Sequence, residues 1–402
     1  ANPAFQPKEL RYVLEQSGAV ALFHVQGYRG NPMAAIAAAA LEGNAQVRRV
    51  VDMDDHTALF AQGANAAALP EVSAGDPIQI QYTSGTTGFP KGAVLSHRGL
   101  LNNARFYADR LGVTQASTWA NPMPMFHTSS CGMITLGTMQ AGARMVLISL
   151  FDAGALNRLI AAEQITIMLG VPTMVQAMLE AHQQTASDLS SLTMVASGGS
   201  MVAPELVRRA YDVIGCDFNT IYGQTEHSPV ITQHHIGDSI DDLCHTIGQP
   251  AEHTDVSIRS VENNQVVPIG TVGEICARGP STMIGYNANP EATAETIDAE
   301  GWLHTGDLGR MDARGYVQIT GRVKEMIIRG GENHFPAEIE NVLLEHPAVA
   351  EVAIVGLPDE KWGEVIAAFV RMEDGALLDE TALRAHCRQH LSPQKTPAVW
   401  RA

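Results

Sequence analysis

The feature that most constrains the fold is an alternation, between residues 17 and about 230, of short apolar or β-branched runs with longer amphipathic stretches. This alternation is typical of a parallel sheet that is covered by helices. The strand candidates are residues 19–24, 77–82, 144–149, 166–169, 193–196 and 219–222. The clearest helix candidates are residues 98–111 and 153–163, whose apolar positions recur at helical spacing. The pattern predicts a doubly wound α/β body.

Two changes of pattern divide the rest of the chain. Residues 247–286 contain short strand-like runs and turn residues without a helical pattern, which predicts a β subdomain. A smaller α+β pattern begins after Gly321-Arg322, with strand candidates at 325–329, 349–356 and 365–371 and helices from Pro336 and from Glu380. We therefore predict a large domain over 1–321, with a β-barrel-like subdomain at about 247–320, and a small mobile domain over 322–402.

Composition and charge exclude several classes of protein. The 402 residues are 45% hydrophobic, which excludes disorder as the main state, and the net charge of −17 repels nucleic acid and anionic lipid. An anionic ligand therefore needs a local site. The five cysteines form no CxxC pair, which favours a reducing compartment, and we predict a cytoplasmic protein. The apolar stretch at residues 33–41 is too short for a membrane span, so no integral membrane segment is expected.

A segment rich in glycine and hydroxyl residues is the most specific motif. It reads Tyr82-Thr83-Ser84-Gly85-Thr86-Thr87-Gly88-Phe89-Pro90-Lys91-Gly92. Glycines allow backbone N–H groups to approach a polyphosphate, the hydroxyls add donors, and Lys91 supplies a cation. The lysine is followed by Gly92 where a Walker A loop has Ser or Thr, so it is not that motif. We predict a phosphate-binding loop that follows a strand and precedes a helix.

Two carboxylates carry further hypotheses. Glu226 follows an apolar strand, at the edge where α/β sheets bind ligands, and its hard oxygens suit Mg²⁺; a helix-capping carboxylate is the alternative. Asp307 can accept two hydrogen bonds from a ribose diol, whereas a solvated loop residue is the alternative.

A third hypothesis concerns metal binding in the loop region after Glu226. The residues with suitable side chains are His227, His234, His235, Asp238, Asp241, Asp242, Cys244 and His245. They lack a tetrahedral ligand spacing, so a polar loop is the favoured interpretation. His334 and His346 are predicted to be surface residues at the start and end of a helix.

The segment from Tyr82 to Gly92 resembles the phosphate loop of the AMP-forming acyl-CoA synthetase, adenylation-domain and luciferase superfamily. Further motifs of that superfamily follow in the same order. They are Ser197-Gly198-Gly199-Ser200, Tyr222-Gly223-Gln224-Thr225-Glu226, Trp302-Leu303-His304-Thr305-Gly306-Asp307 and Gly321-Arg322. Within the superfamily the chain is most similar to the fatty-acyl-CoA synthetases.

The resemblance implies a role for each motif. It places Gly198, Gly199 and Ser200 along adenine. It implies that Tyr222, Gly223 and Gln224 border the nucleotide, that Thr225 contacts the α-phosphate and that Glu226 binds Mg²⁺. Asp307 and Arg322 would bind the ribose. His127 resembles the gate beside the incoming carboxylate, Lys324 occupies the hinge position, and Gly330 and Gly331 resemble the loop that approaches pantetheine.

The implied activity is that of an ATP-dependent acid–thiol ligase. A carboxylate and MgATP give acyl-AMP and pyrophosphate, and the CoA thiol then gives acyl-CoA and AMP. The expected cofactors are ATP, Mg²⁺ and CoA, the partners are small molecules, and a homodimer is one option. The uncharged pocket candidates Val171, Met174 and Val230 favour a medium- or long-chain fatty acid. The alternatives are an aryl-CoA ligase, a peptide-synthetase-type adenylation domain, and a non-catalytic nucleotide-binding module.

The sequence departs from the superfamily at both ends. The resemblance implies a sizeable portion ahead of residue 1 and a catalytic lysine in a Gly-Lys motif beyond residue 402. We therefore expect a truncated small domain and impaired adenylation in this chain. Met123, Met125, Met133 and Met139 either line an acyl tunnel or belong to the core.

Overall fold

A computed structural model describes residues 1–57, 68–83, 90–330, 332–373 and 375–402. These residues divide into two compact units. The first contains Ala1–Cys244, Ala251–Thr254 and Arg278–Leu303, and the second contains His245–Pro250, Asp255–Ala277 and His304–Ala402. The predicted boundary between residues 321 and 322 is a different division of the chain, and it stays a prediction.

The first unit is built on a mainly parallel sheet. Six of its strands lie in the order Val230–Gln233, Asp217–Gly223, Met194–Gly198, Ile167–Gly170, Thr118–Asn121 and Arg144–Leu147. Neighbours are parallel except for Val230–Gln233, which is antiparallel to Asp217–Gly223. The prediction of an α/β fold is confirmed. Thr118–Asn121 has no counterpart among the strand candidates, because a run of four residues with two polar side chains resembles a loop.

The first unit also contains several helices. Their bounds are Pro7–Ser17, Met33–Leu41, His97–Arg110, Thr135–Ala141, Ala153–Glu163, Pro172–Thr185, Pro204–Ile214 and Pro290–Thr296, and a π-helical turn spans Ser129–Ile134. A further helix spans Ile240–His245. Along one central strand, Val195 packs in one buried cluster while Met194 and Ala196 pack in another. Because successive strand side chains point to opposite faces, a hydrophobic core covers each face of the sheet.

The strand candidate at 77–82 is present but does not belong to the main sheet. Pro77–Thr83 pairs antiparallel with Lys91–Ser96, which also pairs with Gly285–Tyr286. The helix predicted after the phosphate loop is present, but a strand lies between the two. Ala93 and Leu95 are fully buried at alternating positions, and this period of two makes Lys91–Ser96 a strand. Helix His97–Arg110 begins only after it.

A second small sheet of the first unit is parallel and two-stranded. Ala21–His24 pairs with Arg49–Asp52. The strand predicted at 19–24 is thus confirmed, and it too lies outside the main sheet.

The second unit contains two sheets. The predicted β subdomain is a four-stranded sheet in the order Asp255–Arg259, Gly273–Arg278, Leu303–Met311 and Val317–Arg322. The other sheet contains Ile327–Arg329, Glu332–His334, Val349–Asp359, Gly363–Met372 and Val399–Arg401, and the unit also has the short strand Gln249–Pro250. Helices Pro336–Leu344 and Glu380–His390 pack on this second sheet through Ile339, Leu343, Leu383 and Cys387.

His334 corrects one sequence expectation. Its strand pairs with Ile327–Arg329, and only 3% of the residue is exposed, so the predicted surface position is wrong. His346 is half-buried.

No helix among the described residues is both long and apolar enough to cross a membrane.

Candidate active site

Glu226 lies where the chain leaves the main sheet. Strand Asp217–Gly223 ends one residue before a 3₁₀ turn, Thr225–His227, that carries it. The Tyr286 hydroxyl donates a hydrogen bond of 2.7 Å to Oε1 of Glu226, and the backbone N–H of Met283 donates to the Glu226 carbonyl. Burial of the phenol, with the nearby carboxylate, raises the pKa of Tyr286, so the phenol stays a neutral donor. The candidate metal ligand therefore has a protein donor on one oxygen.

Tyr286 also contacts Lys91. The Lys91 Nζ atom lies 4.9 Å from the centroid of the Tyr286 ring, which is cation–π geometry. Both residues border a cavity of about 160 Å³. Sequence analysis missed Tyr286. One sequence feature could have indicated it. Tyr286 is an aromatic residue between Gly285 and Asn287, and it belongs to no apolar pattern of a helix or strand.

The turn before Glu226 is tightly packed. A Cβ atom on Gly223 would lie 1.9 Å from the Pro229 carbonyl oxygen, so no other residue fits there. The N–H of Gln224 donates to that same carbonyl at 2.9 Å, and Tyr222 is buried. Thr225 is half-buried beside Glu226. The predicted residues from Tyr222 to Glu226 thus run without a break from the end of the strand into the 3₁₀ turn.

The predicted adenine turn begins at the end of the adjacent strand. A Cβ on Gly198 would lie 2.5 Å from the Ile221 carbonyl oxygen, so this glycine is required for the two strands to pair closely. Gly199 has a φ of +81°, in the left-handed region. The Cβ position of Gly199 lies 3.7 Å from Cγ1 of Val171, a candidate for the acyl pocket. Gly199 and Ser200 are exposed. The structure thus brings the predicted adenine turn and one predicted acyl contact together.

The histidines near Glu226 have structural roles. His227 is fully buried, and its ring nitrogens lie 3.3 Å from the hydroxyls of Thr254 and Thr282. Burial lowers the pKa of His227 to about 4, so the ring is neutral at pH 7. His234 is likewise held, by the carbonyl groups of Thr220 and Asp242. These contacts support the polar-loop interpretation over the metal hypothesis.

His127 lies in a turn that is exposed to solvent. Its N–H donates to the Pro124 carbonyl, and its ring lies 4.6 Å from that of Phe126. Partial desolvation lowers the pKa of His127. Gln81, two residues before Thr83, donates to the Phe126 carbonyl at 2.6 Å. This bond ties the predicted gate to the strand that leads into the predicted phosphate loop.

Two of the four methionines predicted either to line an acyl tunnel or to belong to the core differ in burial. Met133 and the pocket candidate Val230 pack in one buried cluster with Trp119. Met139 is 71% exposed, which is unsuited to the lining of an enclosed tunnel. Met133 therefore belongs to the core.

Several predicted phosphate-loop residues, Ser84 to Gly88, lie outside the described residues, as does Gly331. Thr83 ends the first hairpin strand, and its hydroxyl lies 3.5 Å from the Lys91 carbonyl oxygen. The two ends of the loop are thus held together by the hairpin.

In the second unit, Asp307 and Arg322 are direct cross-strand partners. Arg322 Nε lies 3.1 Å from Asp307 Oδ1, with the Asp307 side chain 15% exposed and the Arg322 side chain 65% exposed. Strand register therefore places a carboxylate and a guanidinium, both predicted to bind ribose, side by side. Lys324 follows in an exposed 3₁₀ turn, Val323–Glu325.

Glu274, which sequence analysis did not single out, holds the turn that carries Asp307. Its Oε1 accepts from the N–H of Gly306 at 2.9 Å, and its Oε2 lies 2.7 Å from His304 Nδ1. The Thr305 hydroxyl accepts from the Asp307 N–H and donates to the Ile275 carbonyl. Asp307 is therefore positioned by a network that is anchored on the neighbouring strand.

Gly330 lies against a tryptophan in the second unit. Its φ is +62°, its N–H donates to the Trp362 carbonyl at 2.8 Å, and a Cβ would lie 2.9 Å from the Trp362 ring. Glycine is therefore needed for both the turn and the close contact. Its predicted role toward pantetheine stays a prediction.

Glu226 and its neighbour Thr225 offer the type of donor atom that magnesium prefers. Mg²⁺ prefers hard oxygen donors and commonly takes one or two carboxylates together with phosphate oxygens. Glu226 supplies a half-buried carboxylate, and Thr225 supplies a hydroxyl beside it.

Comparison with known proteins agrees with this geometry. Residues 1–287 match the AMP-binding enzyme family, and residues 338–401 match the C-terminal domain of AMP-binding enzymes. The human mitochondrial medium-chain acyl-CoA ligase ACSF2 is 34% identical over 98% of this chain and 70% of its own length. A feruloyl-CoA synthase of Amycolatopsis is 37% identical over 97% of this chain and 76% of its own.

A solved structure shows the same likeness. The ATP-bound crystal structure of MatB from Rhodopseudomonas palustris has a TM-score of 0.89 and 28% identity, over 100% of this chain and 78% of that one. The chain therefore belongs to the AMP-binding enzyme family. Within that family it is an AMP-forming acyl-CoA ligase, and the expected use of ATP, Mg²⁺ and CoA agrees with this class.

Proposed function

We propose that the protein activates medium- or long-chain fatty acids as CoA thioesters. The carboxylate attacks the α-phosphorus of ATP, and the bond to the leaving pyrophosphate breaks. The CoA thiol then attacks the acyl carbon of acyl-AMP, its proton is lost, and AMP leaves. Both steps transfer a group to a nucleophile, so binding and charge stabilisation are the main demands on the protein.

The first unit supplies the residues proposed for the phosphate end of ATP. Lys91 offers a cation and Thr225 a hydroxyl donor for phosphate oxygens. Mg²⁺ held by Glu226 would neutralise charge on those oxygens. A carboxylate can bind an ion through either oxygen, and we propose that the ion takes the place of Tyr286 at Oε1 of Glu226. His127 is proposed to border the reacting carboxylate.

The second unit supplies the residues proposed for the ribose and for CoA. Asp307 would accept from the two ribose hydroxyls, and Arg322 would donate to a ribose oxygen. Gly330 is proposed to allow close approach of pantetheine. Lys324, at an exposed turn, is proposed as the hinge between the two half-reactions.

The proposal of a fatty-acid substrate rests on the uncharged side chains beside the predicted adenine turn. Val171 contacts the Gly199 position, and the half-buried Met174 lies 3.3 Å from the Cβ position of Gly170. Aliphatic and thioether side chains favour an apolar tail over an ionic one. The likeness to a medium-chain ligase supports the same choice.

A panel of acids tests this proposal. We expect kcat/KM to rise by about fourfold for each added CH₂, since each is worth about 0.8 kcal/mol when buried, until the tunnel ends. The measurement is thioester formation with acids from acetate to palmitate, with ferulate alongside. A preference for acetate or for an amino acid would contradict a fatty-acyl substrate.

An aryl acid is the second candidate, because a feruloyl-CoA synthase is among the similar proteins. Ferulate turning over faster than every fatty acid would favour it. A folded sample that forms neither acyl-AMP nor thioester would favour the non-catalytic alternative. Impaired adenylation, cytoplasmic localisation and a homodimer stay predictions.

A further inference from the structure

Three metal-binding side chains that the proposed function does not use lie together in the second unit. Glu345 directly follows helix Pro336–Leu344, and His386 and His390 lie four residues apart on helix Glu380–His390. One ligand atom from each of the three residues lies within 4.8 Å of the others. Since residues at i and i+4 share one face of a helix, the two imidazoles can reach a single point.

The His386 ring is held by a backbone carbonyl group. Its Nε2 lies 2.8 Å from the Val342 carbonyl oxygen. Because a carbonyl only accepts, Nε2 carries the proton, and the neutral ring has its lone pair on Nδ1. Metal-bound histidines usually donate their other N–H to such a carbonyl group, which fixes the tautomer and orients the ring. Val342 lies in the last turn of its helix, where the helix dipole also favours a cation.

His346 is a close neighbour with a different role. Its Nδ1 lies 3.3 Å from the N–H of Ala348 and accepts from it, so the neutral ring carries its proton on Nε2. The ring packs edge-on against His386, with centroids 5.3 Å apart. His346 therefore supports the His386 ring without offering a lone pair, which makes it a matched control.

We propose that Glu345, His386 and His390 bind one divalent transition-metal ion, for which zinc is the best match, with water as a fourth ligand. Two imidazoles and a carboxylate are a donor set that zinc takes in proteins. Ligand atoms around tetrahedral zinc lie about 3.4 Å apart, so small rotations of the exposed Glu345 and His390 side chains complete the site. The bound ion joins the ends of two helices, and the net charge of −17 attracts it.

A second cluster with metal-binding side chains among the described residues provides a contrast. Glu274, Cys276 and His304 also lie within reach of one another. There the His304 Nδ1 atom is already 2.7 Å from the Glu274 carboxylate, and Cys276 is fully buried. Zinc in that cluster would have a sulfur ligand, whereas zinc in the proposed site has only nitrogen and oxygen ligands.

Zinc titration of the 402-residue chain, without a histidine tag and after treatment with a chelator, tests the proposal. Calorimetry should find one zinc ion per chain. His390→Ala and Glu345→Gln should each weaken zinc binding by about tenfold or more, while His346→Gln should stay within about twofold. X-ray absorption should show a first shell of nitrogen and oxygen that includes imidazole.

Three outcomes would overturn the site. They are a folded wild-type chain that binds no zinc, a first shell that contains sulfur, and unchanged affinity in both ligand variants. Thermal melts of each variant show that it is folded. Because His390 and Glu345 are exposed at helix ends, their replacement should leave the melting temperature of the zinc-free chain unchanged. The readout is binding, so the result does not depend on whether the proposed ligase activity is correct.

Discussion

Two carboxylates proposed to bind parts of the same nucleotide are held in different ways. Asp307 pairs with Arg322 across adjacent strands, only 15 residues apart in the chain, so the backbone register alone brings them together. Glu226 is held by the hydroxyl of Tyr286, 60 residues away, through tertiary packing. The residues proposed for the ribose are therefore preset by local structure, whereas Glu226, proposed for the phosphate end, depends on a contact between distant segments.

The partners also differ in charge. Arg322 is an exposed cation that can itself bind a ligand, while Tyr286 is a neutral donor that is proposed to give up its bond to Oε1 when Glu226 binds a metal ion. The difference suggests that substitutions at Glu226 affect chemistry and that those at Asp307 affect binding. The following predictions test that distinction, beginning with the largest expected effect.

Glu226→Gln should lower the rate of adenylation by about 100-fold, because an amide is a poor magnesium ligand although it still accepts from Tyr286. Pyrophosphate exchange measures this step. Thiolysis of supplied acyl-AMP by CoA, measured as acyl-CoA and AMP formed, serves as the control and should change far less. Equal losses in both half-reactions would show that Glu226 supports the fold or the whole site.

His227 should make the first unit sensitive to acid. Its pKa is lowered to about 4 in the folded chain from 6.5, so the unfolded state binds the extra proton between these values. The stabilisation is complete above pH 6.5 and is lost as the pH falls toward 4, by about 3 kcal/mol at most. Denaturant unfolding of the wild type and of His227→Gln at several pH values measures the difference.

His235→Gln is the matched control for His227, because His235 is an exposed histidine in the same part of the chain. It should leave the pH dependence of the free energy of unfolding unchanged. If the free energy of unfolding of His227→Gln falls with pH as much as that of the wild type, titratable groups other than His227 cause the fall.

Asp307→Ala should weaken ATP and acyl-AMP binding together, since both contain the ribose diol. Unpaired hydroxyls cost about 1–3 kcal/mol, which corresponds to a loss of roughly 5- to 150-fold in affinity. Calorimetry with ATP and with a non-hydrolysable acyl-AMP mimic measures it. Asp312→Ala removes a carboxylate from the turn at the end of the same strand and should have no effect. Unchanged affinity in Asp307→Ala would show that Asp307 is only a structural partner of Arg322.

Glu274→Ala should raise KM for ATP by about tenfold while kcat changes little, because it loosens the turn that positions Asp307. Glu274→Gln can still accept from the Gly306 N–H and should restore most of the affinity. A loss of folded protein in Glu274→Ala without rescue by the glutamine variant would indicate a purely structural role.

The contrast between the two carboxylates also explains what the sequence could predict. The alternation of apolar runs predicted the α/β body, because the spacing of apolar residues and the turn residues between them are local features of the sequence. Asp307 and Arg322 lie on adjacent strands that are close in the chain, so their contact is local as well. The pairing of Lys91–Ser96 with Gly285–Tyr286 and the role of Tyr286 both depend on residues near 285, which no local pattern connects to residue 91 or 226. Glu274 was missed for the same reason. Its side chain accepts a hydrogen bond from the backbone N–H of Gly306, which lies on another strand.

Tyr286→Phe should have the smallest effect and the most informative one. The substitution removes the hydroxyl from Glu226 but keeps the ring over Lys91. If the phenol competes with the metal ion, losing one hydrogen bond worth about 1 kcal/mol should lower the Mg²⁺ concentration for half-maximal activity by up to about fivefold. If the phenol instead orients Glu226 for the metal, that concentration should rise. Tyr286→Leu removes the ring as well, so comparing the two variants by Mg²⁺ titration separates the hydroxyl from the cation–π contact. An unchanged Mg²⁺ requirement in both variants would mean that Tyr286 does not control Glu226, and the proposed exchange would be wrong.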